Sequence, residues 1–353
     1  MLGLDVRLLT PVESEEAEKI RAFLELNGLV FEEVPDASVV VEDQDGRIVG
    51  TGSLKDNVLK MFAIDPAWQE AGLSGTIATR LVEHAREKGM THLFVFTRPD
   101  SAFRFKSMGF RELARYGDEA SVLEMGHPGI DQFREYLAGL KAHVAEGGVV
   151  GAVVVNCNPF TLGHQYLIQE ASKRSDHLYI IVVEADRSSF PFRHRFQLVK
   201  SGTSHLPNVT VLRSGDYAVS PATFPSYFMK GASAEKVASV QARLDVTMFA
   251  NLFVPELGIK RRFVGTEPYC PVTGSYNSAM KDILPSKGVE VVEIERLRLE
   301  DGTVVSASTV RNCIKKDDWD CVRHLVPEVT WEYLRSEEAK PVLENLKRHA
   351  GRH

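Results

Sequence analysis

Residues 150–164 read VGAVVVNCNPFTLGH, an apolar run that ends in a polar turn and a Gly-His pair. The run at 150–155 contains only apolar residues and glycine, which is typical of a strand buried on both faces of a parallel sheet. Asn156 and Asn158 favour a turn after the strand, and Gly163 allows a helix to begin close to it. Because the N–H groups at a helix start favour an anion, the stretch predicts a phosphate-binding loop. An ordinary turn with a histidine in the first helical turn is the alternative.

The second half of the chain alternates strands and helices around this stretch. Strands are predicted at 149–155, 178–184, 209–213, 261–265 and 289–294, with helices at 164–175 and 193–201. Apolar strands separated by helices indicate a parallel sheet with helices on both faces. Ligands of such sheets bind at the carboxyl ends of the strands, which is where the predicted loop lies.

The first half is predicted to be a separate α+β domain. Its predicted elements are strands at 6–10, 58–64 and 92–97, a hairpin at 38–54, and helices at 13–28 and 73–89. A chain of 353 residues is expected to form two domains. The predicted division is a first domain at 1–127, a connecting helix and Gly-Gly hinge at 128–147, a second domain at 148–336 and a tail helix at 337–353.

The composition is that of a globular protein without a nucleic-acid or membrane signature. The chain is 44% hydrophobic and 25% charged with a net charge of -6, so it lacks the basic face of a general nucleic-acid binder. It has no apolar window of about 18 residues that would span a membrane, and its beginning does not read as a signal peptide. None of the four cysteines stands in a C-x-x-C pair, and four free thiols indicate a reducing compartment. We therefore expect a cytoplasmic protein.

Residues 69–75, QEAGLSG, are a glycine-rich segment between a predicted strand and a predicted helix. Gly72 and Gly75 would let the backbone approach a ligand closely, and the helix start favours a pyrophosphate. A plain strand-to-helix turn explains the segment about equally well on its own.

Residues 305–311, VSASTVR, form a second candidate phosphate site in the second domain. Ser306, Ser308 and Thr309 supply hydroxyls and a helix N-cap, and Arg311 follows in the first helical turn, where its guanidinium suits phosphate oxygens. Taken by itself, such a segment is more often an ordinary capped helix with an arginine on the surface. Two helix starts of this kind in one α/β domain favour a nucleoside triphosphate held between them.

Both halves of the chain resemble known families. The segment VNCNPFTLGH is similar to the G-S-F-N-P-x-H/T-x-G-H signature of the nucleotidylyltransferase superfamily, and VSASTVR is similar to its I-S-S-T-x-x-R signature, with a few substitutions in each. In the first half, QEAGLSG and FRFKSMGF (103–110) resemble the acyl-CoA loop and a late segment of GNAT acetyltransferases. This pair of domains, together with segments such as RSSFPFRHRFQLVKSG and GDYAVSPATFPSYFMK, resembles the citrate lyase ligase family.

The resemblance implies a GNAT-like α+β domain followed by a Rossmann-like nucleotidylyltransferase domain. It also implies an ATP-dependent ligase that uses acetate to acetylate a thiol by way of acetyl-AMP, releasing AMP and diphosphate, with Mg²⁺ on the phosphates. The thiol belongs to phosphoribosyl-dephospho-CoA, the prosthetic group of the citrate lyase acyl carrier subunit. An adenylyltransferase acting on a pantetheine or nicotinamide nucleotide, a CoA-sensing regulator and an acetyl-CoA-dependent acetyltransferase remain the alternatives.

Site residues follow from the same resemblance. At the α-phosphate it implies His164 with Thr161. The remaining ATP contacts it implies are Asn156, Cys157, Asn158, Gly163, Ser306, Ser308, Thr309 and Arg311, with Gly265 and Glu267 on the adenine side. For the CoA-like group it implies Gln69, Gly72, Ser74 and Gly75. The cations around residues 190–192, among them Arg193 and Arg195, are candidates for an acetate or phosphate contact, and a solvated basic face is the alternative.

Overall fold

The computed structural model describes residues 3–185, 188–218, 224–266, 271–300 and 302–348. The chain forms two compact units. Unit 1 comprises Met1–Glu135 with Thr223–Thr247, and unit 2 comprises Tyr136–Ala222 with Met248–His353.

Unit 1 is built on a seven-stranded sheet with the order β1-β2-β3-β4-β5-β7-β6. The strands are β1 Asp5–Leu9, β2 Ala37–Glu42, β3 Ile48–Lys55, β4 Val58–Ile64, β5 His92–Thr97, β6 Arg111–Tyr116 and β7 Ala120–Gly126. The helices along this part of the chain are α1 Ser14–Leu26, α2 Leu73–Glu87, α3 Pro99–Ser107 and α4 Ile130–Ala138, and Pro66–Ala71 form a 3₁₀ helix. Strands β4 and β5 pair in parallel, and all the other neighbours in this sheet pair antiparallel.

The core of unit 1 lies between α2 and the sheet. Leu73, Ile77 and Leu81 recur on α2 at helical spacing and are buried, which is the pattern of a helix that packs one face on a sheet. They share one core cluster with Val39 and Leu54 of the sheet. The predicted α+β architecture of the first half is confirmed.

A segment from the second half of the chain also packs in unit 1. The buried Tyr227 donates from its hydroxyl to the carbonyl of Phe96 at 3.0 Å, and its own carbonyl accepts from the N–H of Val30 at 2.9 Å. The local sequence pattern does not predict this return of the chain, because both contacts join residues that are distant in sequence.

The helix after the first domain is shorter than predicted. A helix was expected through most of 128–147, but α4 ends at Ala138. The segment beyond it is held by Tyr179, whose hydroxyl donates to the carbonyl of Leu140 at 3.0 Å and accepts from the N–H of Ala142 at 2.6 Å. These contacts replace the backbone bonds that a continuing helix would make.

Unit 2 is built on a five-stranded parallel sheet with the order β10-β9-β8-β11-β12. The strands are β8 Val150–Val155, β9 His177–Val182, β10 Val209–Arg213, β11 Arg261–Gly265 and β12 Glu290–Ile294. The helices are α5 Leu162–Lys173, α6 Phe192–Gly202, α7 Ala234–Leu257, α8 Pro271–Ile283, α9 Ala307–Lys315, α10 Trp319–Leu325, α11 Glu328–Leu334 and α12 Lys340–Arg348. Helix α7 is divided between the units: its residues through Thr247 belong to unit 1, and those from Met248 onward belong to unit 2. Short 3₁₀ helices are Gly215–Tyr217, Leu284–Lys287 and Glu337–Ala339.

The predicted parallel sheet of the second half is confirmed. The central strands β8 and β9 run in register with Val153 opposite Ile180, and both side chains are fully buried in one cluster with Phe263 of β11. From β8 the chain adds β9 and then β10 on one side of the sheet, and it then crosses to the other side, where it adds β11 and β12. The strand order therefore reverses between β8 and β11. A ligand is expected in the crevice at the carboxyl ends of β8 and β11.

The expectation of four free thiols is wrong for Cys313 and Cys321, which form a disulfide between α9 and α10. The turn between these helices brings the two Cα atoms to 6.1 Å, inside the range that a disulfide spans. Cys157 is a free and buried thiol. Among the described residues, no helix has the length and apolar character needed to cross a membrane.

Candidate functional site

A cleft of about 860 Å³ opens at the carboxyl ends of β8, β11 and β12 in unit 2. Its volume falls in the range of roughly 300–1,000 Å³ that is usual for small-molecule sites. Eight of the predicted site residues line it: Asn156, Thr161, Gly163, His164, Gly265, Ser306, Ser308 and Thr309. The structure therefore brings the two predicted phosphate segments to one cavity.

The loop after β8 is held in a conformation that is unusual for a residue with a side chain. Cys157 has a φ of 51°, in the left-handed region that costs a non-glycine residue energy, and its side chain is buried in the core. Burial raises the pKa of its thiol. The side-chain oxygen of Asn158 accepts from the N–H of Phe190 at 3.0 Å. The side chains of Cys157 and Asn158 thus brace the loop, and any contact with a ligand would come from their backbone.

Arg195 holds the same loop from the interior of unit 2. It is fully buried, and its Nη1 donates to the carbonyl and to the side-chain oxygen of Asn156 at 2.9 and 2.8 Å. Further bonds go to the carbonyls of Val183 at 2.8 Å and of Phe190 at 2.8 Å. Arg195 therefore ties together the chain segments that leave β8 and β9. The exposed Arg193 on the same helix donates instead from Nε to Nε2 of its neighbour His194 at 3.0 Å.

Thr161 and His164 form a reciprocal cap at the start of α5. The amide of His164 donates to Oγ1 of Thr161, and the amide of Thr161 donates to Nδ1 of His164 at 3.1 Å. Because a backbone N–H can only donate, Nδ1 must be the unprotonated nitrogen. The neutral ring therefore carries its proton on Nε2, which is its one remaining donor.

His164 is held in this neutral form. Partial burial of the ring and the nearby positive charge of Arg296 lower the pKa of His164 to about 4. At neutral pH the imidazole is thus a hydrogen-bond donor without a charge. The ring of the fully buried Phe160 stacks near it, with 6.1 Å between the ring centroids.

The second segment caps α9 on the opposite wall of the cleft. Ser306 is the N-cap, and its Oγ accepts from the amide of Thr309 at 3.1 Å and lies 2.8 Å from Oγ1 of Thr309. Arg311 is not among the described residues that line the cleft. Its guanidinium donates to the carbonyl of Asn158 at 2.6 Å and to Oγ of Ser308 at 3.2 Å. Arg311 therefore links the two loops to each other.

Gly163 makes the contact between the two segments possible. A Cβ added at this position would lie 2.6 Å from the carbonyl oxygen of Val305. The first turn of α5 therefore packs directly on the backbone that precedes α9. Only a glycine leaves room for this approach, which sets the width of the cleft between the two helix starts.

Two other predicted site regions have different outcomes. Glu267 lies outside the described residues. In unit 1, Gln69 is exposed on the 3₁₀ helix, Gly72 adopts a left-handed φ of 69°, and Ser74 lines a small cavity of about 100 Å³ together with Tyr227. That volume is below the range of ligand pockets. The contact of Gln69, Gly72, Ser74 and Gly75 with a CoA-like group stays a prediction.

Sequence reasoning did not identify Arg296. It lines the cleft beside Glu295, and its Nε donates to the carbonyl of Thr266 at 2.7 Å. No signature contains it. The available signal was its position two residues beyond the predicted carboxyl end of β12, the edge at which parallel sheets bind ligands.

Comparisons with known proteins agree with the predicted family and fold class. Residues 150–334 match the family model of the citrate lyase ligase C-terminal domain, and residues 11–123 match that of the acetyltransferase (GNAT) domain. The chain is 38% identical over 321 residues to the citrate (pro-3S)-lyase ligase of Klebsiella pneumoniae, an alignment that covers 90% of this chain and 92% of that protein. It is 35% identical over 344 residues to the corresponding ligase of Escherichia coli (strain K12), with 95% of both chains covered.

A shorter similarity involves a nucleotidylyltransferase. Over 75 residues the chain is 39% identical to phosphopantetheine adenylyltransferase of Rhodopirellula baltica, which covers 20% of this chain and 42% of that protein. The matches to the ligases, in contrast, run through both units. The chain therefore belongs to the citrate lyase ligase family of enzymes.

Proposed function

We propose that the protein is an ATP-dependent ligase that transfers an acetyl group from acetate to a thiol, by way of acetyl-AMP. The thiol is that of the phosphoribosyl-dephospho-CoA group on the citrate lyase acyl carrier subunit. The observation that carries this proposal is the cleft of unit 2, where two capped helix starts and a neutral His164 face one cavity. The names of the full-length relatives support the acceptor.

The first step is displacement at the α-phosphorus of ATP. A carboxylate oxygen of acetate forms a bond to phosphorus, the bond to the α–β bridging oxygen breaks, and pyrophosphate leaves with that electron pair. His164 would donate from Nε2 to an α-phosphate oxygen, and the hydroxyls of Ser306 and Thr309 at the start of α9 would hold the leaving phosphates. Such fixed donors lower the barrier by positioning and by stabilising charge.

The second step is attack of the thiolate on the acetyl carbon of acetyl-AMP. The new C–S bond replaces the C–O bond to phosphate, AMP leaves with the electron pair, and the proton of the thiol goes to solvent. This step requires no covalent bond to the enzyme, which is consistent with the burial of Cys157.

Mg²⁺ fits the donor set of the cleft. Phosphate-bound Mg²⁺ takes most of its ligands from phosphates and water and needs one or two protein carboxylates. Glu295 is the carboxylate among the described residues that line the cleft, and it would hold the ion directly or through water. The ion would neutralise part of the charge on the pyrophosphate.

ATP–pyrophosphate exchange tests the first step. We expect the purified full chain to exchange labelled pyrophosphate into ATP only when acetate is present. Exchange that requires a phosphorylated pantetheine or nicotinamide precursor would instead establish the alternative, an adenylyltransferase, which the short similarity to phosphopantetheine adenylyltransferase favours.

The variant His164→Gln tests the role of the imidazole. Glutamine at this position completes a Thr-x-x-Gln capping box, so α5 should keep its cap while the Nε2 donor is lost. We expect exchange to fall about 10²- to 10³-fold, the usual cost of removing one donor to a developing charge. The free energy of unfolding should change by less than about 1 kcal/mol. Retention of full exchange would remove His164 from the mechanism.

Unit 1 is proposed to bind the CoA-like prosthetic group through Gln69, Gly72, Ser74 and Gly75. Gly75 offers the sharper test, because a Cβ there meets nothing within 4 Å, whereas Gly72 has a left-handed φ. We expect Gly75→Arg to raise KM for the carrier subunit without changing acetate-dependent exchange. Thr79→Arg, on the exposed face of α2, is the matched control. Equal KM values for the two variants would mean that this loop does not bind the group.

A further inference from the structure

Arg296 stands in the cleft outside both phosphate-binding segments. It is the one arginine or lysine among the described residues that line the cleft. Its Nε donates to the carbonyl of Thr266, at 2.7 Å, and Thr266 directly follows β11. The guanidinium is thus anchored across the carboxyl ends of β11 and β12, at the edge where parallel sheets bind ligands.

The charge of Arg296 reaches the position that the substrate would occupy. It is one of the two causes that lower the pKa of His164, the other being burial. A positive charge that repels the protonated imidazole attracts an anion placed beside that imidazole. His164 itself brings no charge at neutral pH, and Arg311 is engaged with the carbonyl of Asn158 and with Ser308.

We propose that Arg296 binds the phosphate oxygens of ATP next to His164 and supplies the positive charge of the cleft. The inference rests on the proposed function for the identity of the nucleotide. The wall that carries Arg296 continues into residues 303–309, with the hydroxyls of Ser306 and Thr309, which favours the triphosphate over acetate as its ligand. A guanidinium presents a planar fork of donors that matches phosphate oxygens.

The test compares Arg296→Gln and Arg296→Lys with Arg298→Gln. Arg298 is an exposed neighbour whose Nη1 donates to the carbonyl of Gly302, and it controls for loss of charge near the cleft. ATP affinity is measured by calorimetry on the full chain with Mg²⁺ and the non-hydrolysable analogue α,β-methylene-ATP. We expect Arg296→Gln to weaken binding about 10- to 100-fold, the cost of losing a charged hydrogen bond. Arg296→Lys should lose less, and Arg298→Gln should stay within about twofold of wild type.

A second readout does not depend on turnover. In an NMR titration with labelled histidine, the pKa of His164 should rise in Arg296→Gln, because the charge that lowers it is gone. It should stay unchanged in Arg298→Gln. Equal nucleotide affinities for Arg296→Gln and Arg298→Gln would overturn the proposal. So would a rise in KM for acetate with KM for ATP unchanged, since that pattern assigns the guanidinium to the carboxylate. If wild type lacks acetate-dependent exchange, the proposed reaction fails, while the calorimetry still decides the role of Arg296.

Discussion

Replacing Gly163 with alanine perturbs the close backbone contact between the two helix starts. The added Cβ would lie 2.6 Å from the carbonyl oxygen of Val305 and 3.5 Å from Oγ1 of Thr161. The oxygen belongs to the backbone, so it cannot rotate away as a side chain can. Because a carbon and a carbonyl oxygen approach to about 3.3 Å at closest, α5 and the segment before α9 must separate by about 0.7 Å.

The size of the effect follows from that displacement. Overpacking of this kind costs about 1–3 kcal/mol, which leaves a domain of ordinary stability, about 5–15 kcal/mol, folded. The reaction is more sensitive, because misplacing a reacting group by about 1 Å can cost about 10²-fold in rate. We therefore expect Gly163→Ala to remain folded and to lose about 10- to 100-fold in acetate-dependent ATP–pyrophosphate exchange.

Gly274→Ala is the matched control. Gly274 lies in α8 of the same unit, and a Cβ there meets nothing within 4 Å, so alanine should be neutral or should stabilise the helix by about 0.5–1 kcal/mol. Exchange rates and urea unfolding curves are measured for both variants. If Gly163→Ala exchanges at the wild-type rate, the close approach of the two segments is irrelevant to the reaction. Unchanged stability together with unchanged exchange would refute the steric reasoning as well.

Three further predictions concern groups around the cleft. The folded protein disfavours protonation of His164, whose pKa of about 4 lies below the ordinary 6.5. Between these two pH values the unfolded chain therefore binds more protons than the folded protein. The free energy of unfolding should fall by up to about 3 kcal/mol as pH drops from 6.5 to 4. In urea titrations the His164→Gln variant should show a smaller fall. Arg195→Lys keeps the positive charge but loses the guanidinium that donates to several backbone carbonyls. This substitution should lower the free energy of unfolding by about 2–4 kcal/mol. The control Arg193→Lys should unfold like wild type. The Cys313–Cys321 disulfide closes a loop with a sequence separation of 8, and its reduction should lower the free energy of unfolding by about 2 kcal/mol. The variant Cys313→Ser lacks this disulfide, so a reductant should not destabilise it further. Destabilisation of Cys313→Ser by the reductant would contradict the assignment.

The sheet of unit 2 was predictable because its strands carry their own signal. Val150–Val155 and His177–Val182 are apolar along nearly their whole length, and a strand covered on both faces requires that pattern. The start of α9 was also predictable, since Ser306 stood among the expected capping residues. The start of α5 was predicted two residues late, at 164 instead of Leu162, because Thr161 was interpreted as a phosphate contact and not as the N-cap. The sheet and the start of α9 both depend on residues that are close together in the sequence, so the sequence pattern predicts them.

Features that depend on distant contacts were not predictable in the same way. Nothing in the sequence near Tyr227 indicates that its hydroxyl will donate to Phe96. Arg195 illustrates the same limit, because a buried arginine and a surface arginine look alike in a sequence. Its partners are backbone carbonyls brought together by the ends of β8 and β9, and every residue has such a carbonyl.

The protonation state of His164 shows how structure changes the meaning of a signature. The signature predicts a histidine near phosphate, and a protonated ring would supply both a donor and a charge. The amide of Thr161 occupies Nδ1 as a donor, so the ring is neutral and supplies the donor alone. A triphosphate bound in this cleft still requires positive charge, and the described lining provides it at Arg296, outside both signatures. If Arg296 binds the phosphates as proposed, we expect the two signatures alone to be insufficient for tight ATP binding, and a family member with an uncharged residue at this position should bind ATP more weakly.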